Sequence, residues 1–327
     1  MVDNKQQWKA WLYLAPVIVL LLIFTVWPIF NTVKIAFLEG YDMLEEKGWI
    51  DYQRANGVEY PFSVGLGNFA FVLGDDSPLT GFLPVLKNTL LLTVLTVPLS
   101  TFIALVIAVS LNSIKFLNRT LQTIYFLPYV TNSIAIGMVF AAMFKLETIP
   151  NNGEEIIRTA GIMNDILYTL FKIPPIDWIG PDSTYELNIA VMVVYIVWNA
   201  LPFKILILLG GLQSVNKQYY DAAKVDGTSK IRTFTHITVP LLSPMIAYVV
   251  ITGFIGGFKE YTSIVGIFGE TMTPPHLDYS LMTMVGYIRE YIEHDQGYAS
   301  AGALILFAII FVVTMINLKV SSKKTQY

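Results

Sequence analysis

Four ionisable residues lie in or at the edge of apolar stretches of the chain: Lys34, Lys204, Lys259 and Glu260. Lys34 can extend its charge to the membrane surface, whereas Lys204 and Glu260 lie in two consecutive stretches and are harder to explain. A charged group in the hydrocarbon of a membrane costs about 2.5 to 3.5 kcal/mol, so such residues usually face a cavity or a partner of opposite charge. A carboxylate at position 260 could accept hydrogen bonds from the hydroxyl groups of a ligand. Three interpretations stay open: a Lys204–Glu260 pair, contact with a charged solute, and a coupling site for an ion.

Three glycines precede Glu260 at helical spacing. Gly253, Gly256, Gly257 and Glu260 fall at positions i, i+3, i+4 and i+7, which share one face of an α-helix. Small residues on one face let a second helix approach closely, or they leave a wall bare for a ligand. Both interpretations remain open. In the second, Glu260 accepts hydrogen bonds from a ligand that lies against the glycines.

An aromatic and amide face is predicted on the stretch that carries Lys204. Tyr195, Asn199 and Phe203 share a helical face, and Trp198 lies beside it. An aromatic ring can stack on a sugar ring and an amide can bond its hydroxyl groups, so these residue types suit a carbohydrate surface. The alternative is an aromatic packing face between helices. These four residues and Lys204 are therefore candidates for a ligand path.

The arrangement of apolar residues indicates a membrane protein. Of 327 residues, 54% are hydrophobic and only 14% are charged, whereas about a quarter are charged in soluble domains. About 20 helical residues cross a hydrocarbon core of ~30 Å. We therefore predict an all-α protein with six transmembrane helices, at Trp11–Phe37, Asn88–Leu111, Gln122–Phe144, Leu187–Leu212, Leu241–Phe268 and Gly297–Leu318. The first is expected to be a retained anchor, because no small-residue cleavage site follows it.

The distribution of basic residues predicts the orientation in the membrane. The N-terminus, residues 112–121, residues 213–239 and the C-terminus together hold 11 Lys and Arg in 56 residues. The three alternate loops hold 7 in 123 residues, together with 20 of the 24 acidic residues. The positive-inside rule places both termini in the cytoplasm. The acidic outer loops form either a solvated surface or a landing surface for an external protein.

Several kinds of chemistry find no support in the sequence. There is no cysteine, which excludes disulfides and thiolate metal sites. His236, His276 and His294 fall on opposite predicted sides of the membrane, so no metal site is predicted. The chain also lacks a Gly-x-x-x-x-Gly-Lys-[Ser/Thr] phosphate loop, so we expect it neither to hydrolyse ATP nor to have catalytic residues.

One polar segment, residues 216–240, separates the fourth and fifth apolar stretches. Asn216 or Asp221 can cap a short helix, and Ala222 and Ala223 are small helix formers. Gly227 permits the left-handed conformation that ends a helix. A second short basic helix is expected next, and Pro240 is expected to open the fifth span. The segment would then lie across the cytoplasmic ends of the membrane helices.

The spacing of this segment matches a known motif. "DAAKVDG", nine residues and "ITVP" resemble the EAA loop of membrane subunits of bacterial ATP-binding-cassette importers. Asp221 stands where that family usually has Glu, and Val239 where it usually has Leu. "FLNRTLQTIYFLP", "WNALPFKILILLGGLQSV" and "GYASAGALILF" resemble, in order, the carbohydrate permease branch. The chain therefore resembles a MetI-like, maltose-type sugar permease with the type I importer fold.

The resemblance implies a set of partners and roles. In such importers the EAA loop forms a coupling helix in a cleft of the ATPase subunit. The positions expected to carry the coupling are Asp221, Ala222, Ala223, Asp226, Gly227, Ile237 and Pro240. The expected partners are a second homologous permease, two ATPase subunits that bind ATP and Mg²⁺, an extracytoplasmic binding protein, a sugar and the lipid bilayer. Neither nucleic acid nor a cofactor of this chain is expected.

The resemblance also divides the chain. Residues 1–37 hold the N-terminus and first helix, 38–85 form an extracytoplasmic loop, 86–319 form the MetI-like domain and 320–327 a cytoplasmic tail. The cargo stays open: glycerol phosphate, a polyamine or phosphate are alternatives to a sugar. An ion-coupled secondary transporter is a further alternative, and a membrane scaffold would leave the ordered motifs unexplained.

Overall fold

The computed structural model describes residues 7–48, 50, 61–78, 80–113, 118–151, 154–272 and 280–322. These residues fall into two units, Met1–Asp76 with Tyr287–Phe307 and Ser77–Gly286 with Ala308–Tyr327. Residues 114–117 of the basic loop 112–121, His276 and the tail beyond residue 322 lie outside the described residues.

Helices make up most of the described chain. The first half contains α1 Gln7–Leu21, a π-helical turn Leu22–Val26, α2 Trp27–Ala36, β1 Leu38–Glu39, α3 Met43–Gly48, β2 Ser63–Val64, α4 Gly67–Gly74, α5 Phe82–Ser113, α6 Asn118–Phe126, a 3₁₀ turn Leu127–Val130 and α7 Ser133–Phe144. The second half contains β3 Leu146–Asn151, β4 Glu154–Ala160, α8 Ile162–Phe171, α9 Tyr185–Ser214, α10 Lys217–Val225, α11 Lys230–Thr233, a π-helical turn Phe234–Thr238, α12 Val239–Leu241, α13 Ser243–Phe258, α14 Thr262–Phe268, α15 Met284–Ile292 and α16 Gln296–Ser322.

The predicted all-α membrane architecture is confirmed. Four uninterrupted helical stretches are long and apolar enough to cross a bilayer, and two bent helix pairs bring the number to six if each pair is one span. Within the described ranges, the strands form two small antiparallel sheets, β1 with β2 and β3 with β4. Both sheets lie in connections between apolar stretches, where strands can pair without interrupting a transmembrane helix.

The third predicted span is a bent pair. The segment Thr123–Val130 meets Ser133–Phe144 at 105°, because Thr131 is extended and ends the 3₁₀ turn. The Asn132 side chain then caps α7 by accepting hydrogen bonds from the N–H groups of Ile134 and Ala135 at 2.8 and 3.3 Å. The predicted continuous helix over 122–144 is therefore wrong at this point.

The fifth predicted span is interrupted twice. Residues Lys230–Leu241 meet α13 at 69°, so Pro240 belongs to the short helix α12 and not to the start of the span. The second interruption follows α13, where Lys259 and Glu260 leave the helix before α14 begins at Thr262. Glu260 is therefore not on the helix that carries the glycines.

The second unit is built around the pairing of α5 with α9. Small and branched apolar side chains of α5 pack against leucine and isoleucine side chains of α9 and against two residues of the following segment. The buried members are Ala104, Leu105, Ala108, Leu111, Ile205, Leu208, Leu209, Leu212, Leu242 and Val249. Helices α7 and α14 cross closely at Gly137 and Gly266, where a Cβ atom at either position would meet the other backbone within 3.0 Å.

In the first unit, short polar contacts hold the helices that follow the first span. The buried Asn68 side chain on α4 donates hydrogen bonds to the carbonyls of Ala36 and Leu38 at 3.1 and 2.9 Å. At the other end of α4, the hydroxyl groups of Tyr287 and Tyr291 donate to the Asp75 carboxylate. Burial, with a smaller contribution from neighbouring negative charge, raises the pKa of both tyrosines, which keeps the phenols as donors.

Candidate functional site

A cavity of about 320 Å³ opens between α5, α9 and α13. Its volume lies at the lower end of the range for small-molecule sites, about 300 to 1,000 Å³. The 3₁₀ turn contributes Tyr129 to the wall. Seven of the residues predicted for a ligand path also line it: Asn199, Phe203, Lys204, Gly253, Gly256, Gly257 and Glu260.

Lys204 reaches from α9 to α5. Its side-chain nitrogen donates to the Ser100 and Thr101 hydroxyl oxygens at 2.7 and 2.9 Å and to the Val97 carbonyl oxygen at 3.1 Å. An ammonium group has three N–H donors, so these three acceptors account for all of them. Among the described residues, no ion pair joins Lys204 to Glu260, because Lys204 bonds α5 instead. Lys204 therefore links α9 to α5, and its ammonium group borders the cavity.

Glu260 is fixed at the break between α13 and α14. One carboxylate oxygen accepts hydrogen bonds from the N–H groups of Tyr261 and Ser263 at 3.1 and 3.2 Å, and its backbone carbonyl accepts from the Thr283 hydroxyl at 2.6 Å. A carboxylate at the start of a helix is stabilised by the unpaired N–H groups there. Glu260 is partly exposed and lines the cavity, so it contributes a hydrogen-bond acceptor with a fixed position to the wall.

The three glycines of α13 have different surroundings: two pack against α5 and one faces open space. A Cβ atom at Gly257 would lie 2.8 Å from the Thr93 methyl group, and one at Gly253 would lie 3.0 Å from a Val97 methyl group. At Gly256 an added Cβ atom meets nothing within 4 Å. Gly253 and Gly257 therefore allow α13 to approach α5, whereas Gly256 faces open space.

Two of the predicted aromatic residues lie outside the cavity wall. The Tyr195 side chain is fully buried, and its hydroxyl donates to the Ser133 carbonyl of α7. The Phe140 ring lies 4.8 Å from the Tyr195 ring and 5.1 Å from the Trp198 ring, centre to centre. For Tyr195 and Trp198 the packing interpretation is the better one, because α7 covers this side of α9.

The sequence reasoning missed the hydroxyl groups of α5. Thr89, Thr93, Thr96 and Ser100 are buried and spaced four, three and four residues apart, which is one helical face. Thr96 and Ser100 line the cavity with Thr252 of α13. The signal was present as a polar period-3.6 pattern within a strongly apolar stretch.

The polar segment 216–240 folds as a helix, a turn and a second helix. Asn216 caps α10 by accepting from the Gln218 N–H at 3.0 Å. Gly227 has φ +65°, and the Thr228 N–H reaches back to the Ala223 carbonyl at 2.9 Å, which closes the helix in the way typical of a glycine C-terminus. The expected cap by Asn216 and the expected turn at Gly227 both appear in the structure.

The exposure of this segment differs along its length. Asp221 and Ala222 are exposed and Ala223 is buried, so one face of α10 is available and the other packs. Asp226 lies at the C-terminal cap of α10. Ile237 is half-buried within the π-helical turn and Pro240 is exposed in α12, on the far side of the turn.

The sequence matches a known family. Residues 88–326 match the family described as "Binding-protein-dependent transport system inner membrane component". This range contains α9, the polar segment and α13, so it includes the whole cavity wall and the coupling positions predicted from the sequence.

Named relatives cover nearly the same length. The arabinooligosaccharides transport system permease protein AraP of Halalkalibacterium halodurans is 32% identical over 278 residues, 82% of this chain and 78% of the relative. The lactose transport system permease protein LacF of Rhizobium radiobacter is 26% identical over 310 residues, 94% of this chain and 91% of the relative.

The fold is also similar to a solved structure. A chain of a bacterial ABC transporter involved in the import of the acidic polysaccharide alginate superimposes with a TM-score of 0.72, covering 99% of this chain and 98% of that one at 19% identity. The predicted type I importer fold is thereby confirmed, and the spans give a multi-pass protein. The chain belongs to the family of binding-protein-dependent transport system inner membrane components.

Proposed function

We propose that the chain is the permease subunit of an ATP-driven importer that translocates a sugar or oligosaccharide. The observation that carries the proposal is the cavity between α5, α9 and α13. It combines an aromatic ring, Phe203, an amide, Asn199, and a carboxylate, Glu260, which are the groups that stack on and bond to a polyhydroxylated ring. The names of the relatives, permeases for arabino-oligosaccharides and lactose, support a saccharide over the phosphate or polyamine alternatives.

The polar segment 216–240 is the proposed site of coupling to ATP hydrolysis. Its first helix offers the exposed Asp221 and Ala222, and three apolar side chains of the segment point to solvent: Tyr219, Val225 and Ile231 are 54%, 88% and 77% exposed. We infer that a partner covers these three apolar side chains. In our proposal that partner is a separate ATPase subunit, which binds ATP and Mg²⁺.

The same proposal includes the other subunits of the transporter. A second homologous permease would complete the path, and an extracytoplasmic binding protein would deliver the sugar to the acidic outer loops. Both termini would lie in the cytoplasm, in agreement with the excess of Lys and Arg on that side. Two states of the path, one open to each side, would be biased by ATP.

Transport by proteoliposomes tests the proposal. The chain, its partner permease and two ATPase subunits are reconstituted with the binding protein outside and ATP inside, and uptake of labelled arabinotriose and lactose is measured. We expect uptake that requires ATP and survives dissipation of ion gradients. Uptake that stops with an ionophore and does not depend on ATP would instead support the ion-coupled alternative. Uptake of phosphate or polyamines alone would contradict the proposal that the cargo is a saccharide.

A further inference from the structure

The ammonium group of Lys204, which borders the cavity, makes three hydrogen bonds to the protein itself. Lys204 is 4% exposed, and its three N–H groups are bonded to Val97, Ser100 and Thr101. A carboxylate or sulfonate on a ligand would have to break one of these bonds to be bonded by the ammonium. Lys204 is therefore a poor partner for an anionic ligand, although its charge is nearby.

The hydroxyl groups of the wall point their hydrogens away from the cavity. Thr96, Ser100 and Thr252 donate to carbonyl oxygens four residues earlier in their own helices, at 2.7, 2.5 and 2.8 Å. A hydroxyl group has one donor and two acceptor lone pairs. Each of these hydroxyl oxygens therefore still has a lone pair that can accept a hydrogen bond from a ligand.

Glu260 adds a carboxyl group to the same wall. Its carboxylate is held by two backbone N–H groups and is partly exposed to the cavity. Two N–H donors on one carboxylate oxygen favour the ionised form, which accepts hydrogen bonds and cannot donate them. A second anion beside the ionised carboxylate would meet like charge, and such a juxtaposition is unfavourable.

We propose that this cavity selects uncharged polyhydroxylated cargo and rejects carboxylated or sulfonated saccharides, with Glu260 as the residue that determines this specificity. The inference rests on the proposed function and adds the charge class of the cargo. Hydroxyl groups of a neutral sugar would donate to Glu260, Thr96 and Ser100, while Asn199 offers an uncharged group that both donates and accepts. Discrimination of this kind needs a repulsive element as well as an attractive one, and Glu260 supplies both.

A matched pair of ligands tests the inference. Lactose is compared with its uronate, in which the C6 hydroxyl of the galactose unit is oxidised to a carboxylate. Saturation-transfer NMR on the complete transporter in nanodiscs, without binding protein, measures both affinities. We expect lactose to bind at least about tenfold more tightly than the uronate, which corresponds to about 1.4 kcal/mol, and Glu260→Gln to reduce the ratio to about threefold or less.

The control is Glu186→Gln, which removes an exposed carboxylate in the first turn of α9, about 20 Å along the helix from Asn199. It should leave the ratio unchanged. Equal affinities in the native transporter, an unchanged ratio in Glu260→Gln, or no lactose binding while delivered lactose is still transported would each overturn the inference and leave the proposed function intact. Absence of all ATP-dependent saccharide uptake would contradict the proposed function instead.

Discussion

The ammonium group of Lys204 on α9 lies 2.7 Å from the hydroxyl oxygen of Ser100 on α5, within the paired helices at the centre of the second unit. A hydrogen bond to a charged group contributes about 1.5 to 3 kcal/mol, and leaving a buried charge without its partners costs more than replacing the whole group by an apolar one. The contact therefore makes α5 and α9 depend on each other at the level of the cavity.

Removal of the two hydroxyl partners should destabilise the protein, and removal of the charge should restore it. For Ser100→Ala with Thr101→Val we expect a loss of about 1.5 to 3 kcal/mol for each lost bond, because Lys204 keeps only the Val97 carbonyl. Adding Lys204→Met should recover most of the loss, since no buried charge remains. The apparent midpoint of thermal unfolding of the purified transporter measures both effects.

The control for this series is Ser110→Ala. Ser110 is also on α5 and its hydroxyl also bonds a carbonyl four residues earlier, at 2.8 Å, but it is exposed. We expect its midpoint to stay at the native value. If Lys204→Met fails to rescue the double variant, Lys204 is not the reason that these hydroxyl groups matter.

Adjacent glycines of α13 should respond differently to the same methyl group. Gly257→Ala brings a Cβ atom within 2.8 Å of the Thr93 methyl group, and such overpacking typically costs about 1 to 3 kcal/mol. Gly256→Ala meets nothing within 4 Å, so stability should be kept while the cavity becomes smaller. Thermal unfolding and sugar uptake should therefore separate, with Gly257→Ala losing stability and Gly256→Ala losing uptake.

A second substitution checks the cause. Thr93→Ala removes the methyl and hydroxyl groups that the new Cβ atom would meet, so it should restore part of the stability of Gly257→Ala. The same change should not alter the uptake defect of Gly256→Ala. Equal loss of stability in both glycine variants would show that α13 tolerates no side chain on either face.

The sequence predicted the parts of the fold that depend on local chemistry. The apolar stretches around α5, α9 and α16 are helices because a backbone in hydrocarbon must satisfy its own hydrogen bonds, and a helix does so within one segment. The turn at Gly227 was predictable because glycine adopts a positive φ without strain. The cap at Asn216 follows from the amide that precedes a helix.

The breaks and partners could not be predicted in the same way. After the bend at Val130 and the end of α13 at Phe258 a new helix begins, and its first N–H groups donate to Asn132 and Glu260, respectively. Hydropathy does not detect such caps. Tyr195 belongs to the packing with α7 and not to the cavity, because helical periodicity gives a shared face but not the element that covers it. Only the tertiary arrangement separates those two outcomes.

Asn164 should hold the connection between α8 and α9 in one conformation. Its buried amide donates to the Ile176 carbonyl at 3.0 Å and accepts from the Ile176 N–H and the Trp178 indole N–H at 3.1 and 3.0 Å. Asn164→Ala leaves these groups without their partner, at a cost of about 1 to 3 kcal/mol. Hydrogen exchange at the Ile176 amide should accelerate about tenfold or more. Asp165→Asn, the exposed neighbour, should not change that rate.

Gly227 should be required because its backbone adopts a positive φ, and not because a larger side chain would clash with its surroundings. Its φ is +65° and an added Cβ atom meets nothing within 4 Å, so a substitution acts through the left-handed conformation, which costs about 1 to 2 kcal/mol for most residues. Gly227→Val should therefore distort the turn between α10 and α11 and separate ATP hydrolysis from sugar uptake, with uptake falling about tenfold relative to ATPase rate. Gly227→Asn, which tolerates this conformation, should retain most of the coupling. Native uptake in Gly227→Val, measured together with ATPase activity in proteoliposomes, would contradict a coupling role for this turn.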